Sequence, residues 1–209
     1  MISLKRLKQM TPIRAALWRI GLLSDETQTS VAERACIAKH AATCMRLAEI
    51  GVYNGVTTAV IRGVMSPEAV FWAIDPFEAG RFGFNIDESI ARSNVEKVAN
   101  GQIEFVKMTG VAASQHWREH FGECSLDFLF VDAEHTWDGI KGDWESWSGL
   151  IAVGGVVCLH DSRSTPDLPL SLDSVRFTQE VVWQDRSFQL IDEVDSLSAF
   201  RRIAACQEA

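Results

Sequence analysis

The sequence predicts an α/β protein, a doubly wound sheet of seven strands, mostly parallel, with a C-terminal antiparallel hairpin. Three observations carry this. Short apolar runs alternate with longer segments of helical period between residues 45 and 161, the pattern of βαβ crossovers. The runs are nearly continuous in apolar residues, as in strands covered on both faces. The last two runs, 187–194 and 196–203, are separated by almost nothing, and strands joined that tightly must be antiparallel.

Residues 1–29 read as a helical, partly basic arm ending in a polar loop, and residues 30–209 as the one domain. Ser30 is an N-cap, and Glu33 three residues later completes a capping box. The helix that follows should run through about Cys44. MRLAEIG (45–51) is a buried strand stopped by a tight turn at Gly51. Helices are expected at 56–65, 87–99, 111–121, 138–150 and 171–184. Strands are expected at 69–75, 103–108, 126–132 and 155–161. The order is Rossmann-like, with five parallel strands and then the hairpin, one of whose strands is reversed.

The chain has 209 residues, 47% hydrophobic and 23% charged, which fits one domain with a full core. Its net charge of −8 repels phosphate backbones and argues against nucleic acid as a main partner. Lys5, Arg6 and Lys8, with Arg14 and Arg19, read as the solvated face of the arm. No window reaches the ~18 apolar residues of a membrane span, and the N-terminus lacks the order of a signal peptide. The five cysteines, Cys36, Cys44, Cys124, Cys158 and Cys206, show no CxxC and read as reduced thiols. A cytoplasmic protein without membrane contact is the expectation. Leu17, Trp18, Leu22 and Leu23 make the arm amphipathic, so a homodimer that buries it is expected.

In open α/β sheets, ligands bind beyond the carboxyl ends of the strands, where strand order reverses. Asp75, Asp132 and Asp161 all end strands, and the Gly51–Gly55 turn lies at the same edge. In EIGVYNG (49–55), Gly51 permits a sharp turn and Gly55 lets the next helix begin against the sheet. Tyr53 stands where the dinucleotide pattern GxGxxG needs its second glycine, which counts against NAD. Glu49 is a charge inside a strand, a costly placement unless it meets a ligand, and an ammonium group would suit it. Asp75, at the end of the second strand, can accept the hydroxyls of a ribose. His116 and His120 read as a surface pair, Trp144 and Trp147 as core, and Cys158 as an inert buried thiol.

These segments, with FVDAEHTWDGIKGDW (130–144) and LIAVGGVVCLHDS (150–162), resemble class I S-adenosylmethionine-dependent methyltransferases. They are most similar to a small bacterial group related to macrolide-sugar O-methyltransferases and cephalosporin-hydroxylase-type proteins. The glycine turn and TGVAASQ (109–115) are also similar to catechol O-methyltransferase. The resemblance spans about residues 30–203. It implies that Glu49, Gly51 and Gly55 line the methionine end of the cofactor, with Tyr53 and Thr58 close by, and that Asp75 holds the ribose. It places Gly110, Ser114 and Gln115 near the adenine, Trp137 packed on it, His135 near the methionine part, and Asp132 where cofactor meets a small-molecule acceptor.

In metal-dependent members of the resembled family, carboxylates at these strand ends bind Mg²⁺. Asp132 and Asp161 match two such positions, and His160 would suit Mn²⁺ better. The expected reaction is methyl transfer to oxygen, assisted by a metal at Asp132 and Asp161 or by His160 or His135 as general base. Two alternatives stand beside it. One is a nucleotide-dependent oxidoreductase on a similar sheet, the other a non-catalytic S-adenosylmethionine-binding module.

Overall fold

The computed structural model describes residues 18, 26–78, 85–132, 134–166 and 168–204. Of the arm, Trp18 and residues 26–29 fall within this set, and the rest of it and Cys206 lie outside. Seven strands form one sheet: β1 (Arg46–Ile50), β2 (Val70–Ile74), β3 (Gln102–Val106), β4 (Leu126–Val131), β5 (Ile151–Leu159), β6 (Phe188–Val194) and β7 (Leu197–Arg202), in the spatial order β3-β2-β1-β4-β5-β7-β6. The first five are parallel, and β7 runs antiparallel to both β5 and β6. The expected fold class, with one reversed strand, is what the chain adopts.

The helices are α1 (Val31–Ala41), α2 (Val56–Val64), α3 (Ile86–Glu96), α4 (Gly110–Phe121), α5 (Trp137–Trp147) and α6 (Asp173–Glu180). They cover the two faces of the sheet in two sets. Leu47, Phe71, Phe128 and Phe130 point toward Ile37 of α1 and Ile61 of α2. Ala48, Trp72, Leu129 and Val157 point the other way, toward Trp117, Trp144, Trp147 and Phe177 of α4, α5 and α6. Alternate residues of one strand thus enter different cores, as the period of two requires. Trp144 and Trp147 are core residues, Cys158 is fully buried, and His116 and His120 are exposed.

Several boundaries differ from the sequence reading. Strand β5 begins at Ile151 rather than 155, because its register against β4 shifts between Leu126 and Phe128 near Gly154 (φ 88°). It ends at Leu159, which leaves His160 and Asp161 in the following turn. Helix α1 stops at Ala41 and α3 at Glu96, where Arg62 takes the carbonyls of Val95 and Asn100. Helix α6 stops at Glu180 and is followed by a separate 3₁₀ turn, Val182–Gln184. The thiol reading is corrected at one position. Cys36, Cys44 and Cys158 are free, whereas Cys124 is disulfide-bonded.

Gly55 is the residue that seats α2. It has φ 71°, and a Cβ there would lie 2.8 Å from the Ala91 Cα of α3. Gly154 has φ 88° but open space around it. Gly55→Ala should therefore lose stability through both strain and collision, and Gly154→Ala through strain alone, about 1–2 kcal/mol. Thermal denaturation is expected to show the larger drop for Gly55→Ala. Equal drops would contradict this packing account.

Candidate active site

The strand order reverses between β1 and β4, since β2 and β3 extend to one side and β5 to the other. At that edge the backbone ladder continues one residue past each strand. Gly51 N–H donates to Ile74 O, Asp132 N–H to Ile50 O, and His160 N–H to Val131 O, at 2.9, 2.8 and 3.0 Å. Gly51, Asp75, Asp132 and His160 therefore form one row across the carboxyl end of the sheet.

Asp75 organises the glycine turn. Its Oδ2 accepts from the N–H groups of Val52 and Tyr53 at 3.0 and 3.2 Å, and its Oδ1 from Phe77 N–H at 2.8 Å. A carboxylate offers about four acceptor positions, so capacity for a ligand hydroxyl remains. Gly51 (φ 90°) makes the turn.

Two cavities open along this row and share Gly51, Tyr53 and Asp132. The larger, about 590 Å³, is lined by Ile50, Gly51, Asp75, Met108, Gly110 and Asp143 among others. The second, about 390 Å³, is lined by Glu26, Glu49, Tyr53, Asn54, Asp132 and His135 among others. Glu49 is 1% exposed, and its Oε2 has no hydrogen-bond partner among the described residues. Burial pushes its carboxyl well above the usual range, against the pull of the nearby Thr58 hydroxyl, and the negative charges of Asp132 and Asp75 add to the rise. A cationic ligand group in the second cavity would satisfy that oxygen.

Beyond Asp132 lies a chain of charges. His160 Nδ1 is 2.9 Å from Asp132 Oδ1, and its Nε2 is 3.5 Å from Glu33 Oε2. Glu33 in turn accepts from Ser30 N–H at 2.7 Å through Oε2, and from the Ser196 N–H and hydroxyl at 2.9 and 2.7 Å through Oε1. Burial works against the charge on His160, but the bonds to Asp132 and Glu33 outweigh it and raise its pKa to about 10. The same balance lowers both acids to about 2. For Glu33, burial is outweighed by bonds from His160, Ser30 and Ser196. For Asp132, burial is outweighed by His135 and His160. His135 bridges Asp132 and Asp161, with Nε2 and Nδ1 each 3.6 Å from a carboxylate oxygen. Its pKa is raised, chiefly by the bond to Asp132.

The sequence expectations sort accordingly. Gly51, Tyr53, Asp75, Gly110 and Asp132 share the larger cavity, and Glu49 and His135 line the second. Gly55 and Thr58 support the turn from behind, Thr58 fully buried. Three of the residues expected near the adenine are engaged within the protein. The Ser114 hydroxyl donates to Val111 O, Gln115 reaches Glu119, and Trp137 packs edge-on against Phe177, so none lines the larger cavity. The helix containing Ser114 and Gln115 starts at Gly110, and the two residues fall beyond its first turn. Asp132 and Asp161 do approach one point, but His135 and His160 stand between them. Sequence reasoning missed Asp143 and the Glu33 link. Glu33 was visible only as a capping residue, and a lone Asp inside a helix carries no signal.

Residues 48–162 match the family of methyltransferase domains. The chain belongs to that family. No curated protein matches the sequence. Among solved structures, cofactor-bound Rv0187 from MTB is 15% identical with a TM-score of 0.63, each chain 93% covered. The O-methyltransferase TomG from Streptomyces achromogenes, involved in tomaymycin synthesis and solved with S-adenosylmethionine, is 16% identical with a TM-score of 0.61, covering 94% of this chain and 91% of that one. A Corynebacterium glutamicum protein is 13% identical with a TM-score of 0.62, covering 93% and 90%. These likenesses show a shared seven-stranded fold, and the match to the methyltransferase family supports reading the chain as an enzyme.

The charge chain has a stability consequence with a definite sign. The depressed acids contribute above their unfolded values of 4.5 and 3.8 and lose that contribution as pH falls toward about 2. The raised histidine contributes fully below 6.5 and loses it as pH rises through about 10. The cluster is therefore most stabilising between about pH 4.5 and 6.5. Glu33→Gln leaves a buried imidazolium short of one anion and should cost about 3–5 kcal/mol near pH 6, measured by urea unfolding. The deficit should shrink by pH 10. A deficit that does not vary with pH would exclude the ion-pair account.

Proposed function

We propose that this enzyme transfers the methyl group of S-adenosylmethionine to an oxygen of a small-molecule acceptor. The observation that carries the reading is the pair of adjoining cavities that meet at Asp132, at the reversal point of a methyltransferase sheet. The larger suits a nucleoside in size, and the smaller holds an orphaned buried carboxylate oxygen, Glu49 Oε2, fit for the ammonium of a methionine moiety. The likeness to TomG, an O-methyltransferase solved with this cofactor, supports both the cofactor and an oxygen acceptor.

S-adenosylmethionine supplies a methyl group already activated on a sulfonium. Glu49 would balance the ammonium, and Asp75 and the Gly51 turn would hold the ribose. The protein must align the acceptor oxygen at near-attack distance, about 3–3.5 Å. His135, at the rim of the smaller cavity, is placed to take the acceptor proton. Its Nε2 and Nδ1 lie 3.6 Å from Asp132 and Asp161, and these two carboxylates would balance the imidazolium formed when the neutral ring takes the proton. His160 already carries its proton and has no free lone pair, so it acts as a fixed cation beside Asp132 rather than as the base.

A metal-assisted form of the same transfer has one observation in its favour. Asp132, His135 and His160 each offer a ligand atom within 4.8 Å of the others. Mg²⁺ or Mn²⁺ bound there would have to draw His160 away from Asp132 or Glu33, since both ring nitrogens are engaged. The oxidoreductase alternative has no support in the family match.

The test is incubation with methyl-labelled S-adenosylmethionine and a panel of phenolic, sugar and hydroxy-acid acceptors, with and without EDTA. Label is expected on oxygen in the presence of EDTA. His135→Ala should lower kcat by about 10²–10⁴-fold while S-adenosylhomocysteine still binds. Loss of transfer in EDTA with recovery on adding Mg²⁺ or Mn²⁺ would favour the metal form. Cofactor binding with no transfer to any acceptor would point to the non-catalytic module.

A further inference from the structure

Away from both cavities, three different donors meet where α1 packs on the sheet. Cys36 and His40 lie four residues apart on α1, which puts both side chains on one helix face. Asp192 comes from β6. The thiol sulfur, an imidazole nitrogen and a carboxylate oxygen of these three all lie within 4.8 Å of one another. His40 Nε2 is 3.2 Å from Asp192 Oδ2. Two nitrogen or oxygen ligands of one tetrahedral Zn²⁺ stand about 3.3 Å apart, so this pair is already at chelating separation. None of the three residues lines either cavity of the reaction site.

Asp192 reaches this point through an irregularity in the sheet. The pairing of β6 with β7 slips between Leu190 and Asp192, and Asp192 faces Ala199. Ala199 belongs to the core beneath α1, so the bulge turns Asp192 toward that helix, as bulges re-aim side chains elsewhere.

The chemistry of the set suits a borderline-soft ion. Mg²⁺ and Ca²⁺ take oxygen ligands, whereas sulfur, nitrogen and oxygen together fit Zn²⁺. Burial holds His40 below the usual imidazole range, so its ring is neutral and offers a lone pair. Burial pushes the Cys36 thiol up to about 11, with Asp192 adding to the rise. An arriving Zn²⁺ displaces that proton to solvent and takes the thiolate. One thiolate, one carboxylate and one neutral imidazole leave the ion with no net charge, so no uncompensated charge is buried. Lys39 is now 2.7 Å from Asp192 Oδ2, but its side chain is 67% exposed and can withdraw into water. A groove of about 520 Å³, lined by Lys39, His40, Cys44 and Arg201 among others, gives a way in.

We infer that Cys36, His40 and Asp192 bind one Zn²⁺, with water in the fourth position, and that the ion braces α1 against β6. Helix α1 is also the helix that presents Glu33 to His160, about two turns from His40.

The whole chain, first stripped with EDTA, is titrated with Co²⁺ as a spectroscopic probe and with Zn²⁺ against a competing chelator. The wild-type protein should show a thiolate-to-cobalt charge-transfer band that saturates at one equivalent and that Zn²⁺ abolishes. A metal at Asp132, His135 and His160 has no sulfur ligand and gives no such band, so the two places are told apart. Cys36→Ser should lose the band, and Cys44→Ser should keep it. His40→Ala and Asp192→Asn should each bind Zn²⁺ at least about 100-fold more weakly, the upper end of what losing a merely supporting partner costs. A wild-type protein without the band overturns the inference whatever the variants do, and so does a band that survives in Cys36→Ser. Unchanged Zn²⁺ affinity in His40→Ala and Asp192→Asn overturns it as well, a test that stands even if Cys36→Ser does not fold.

Discussion

The His160 imidazolium is the interaction on which the rest of the site depends. It lies in the turn after β5, touches Asp132 at the end of β4, and faces Glu33 in the first turn of α1. Glu33 extends the link to Ser196 between β6 and β7. One charge thus joins both ends of the chain to the centre of the sheet. Two acids, Asp132 and Asp161, converge on the edge, and like charges so placed repel unless a cation stands between them. The protein supplies that cation from its own side chains, and the arrangement keeps Asp132 ionised where the two cavities meet.

The sheet decides where this chemistry can occur. Because strand order reverses between β1 and β4, the loops after them part and leave a crevice. Gly51 and Asp132 flank it, and Asp75 ties the glycine turn to the end of β2 through the N–H groups of Val52 and Tyr53. Asp75 therefore has two tasks that no single substitution separates cleanly, holding the turn and facing the larger cavity. Glu49 is placed differently. It shares its sheet face with Leu47, Phe71 and Phe130, yet it carries an unpartnered oxygen. A buried group of that kind is a standing cost to the empty protein, and a bound ammonium would remove it.

Much of this was legible in the sequence because the strands are short, apolar and end in acids. Strand-ending Asp75 and Asp132 and the Gly51 turn stand where their positions in the runs put them. The places that misled are those where tertiary contact overrides local pattern. Strand β5 starts early because of a bulge that its pairing with β4 dictates. Ser114 and Gln115 lie on helix α4 beyond the residues that line the larger cavity. Trp137 faces Phe177 because α6 packs there. The Glu33–His160 link joins a helix to the turn after β5 across the fold, and no spacing along the chain encodes it.

The central claim, one cofactor spanning the reversal point, is tested most directly by a crystal structure of the chain with S-adenosylhomocysteine. The account predicts ribose hydroxyls within about 3 Å of Asp75, the amino-acid end beside Glu49 Oε2, and the sulfur next to Asp132, with His160 still bridging Asp132 and Glu33. A ligand seated away from the β1–β4 edge, or a Glu49 oxygen left without a partner in the complex, would contradict it.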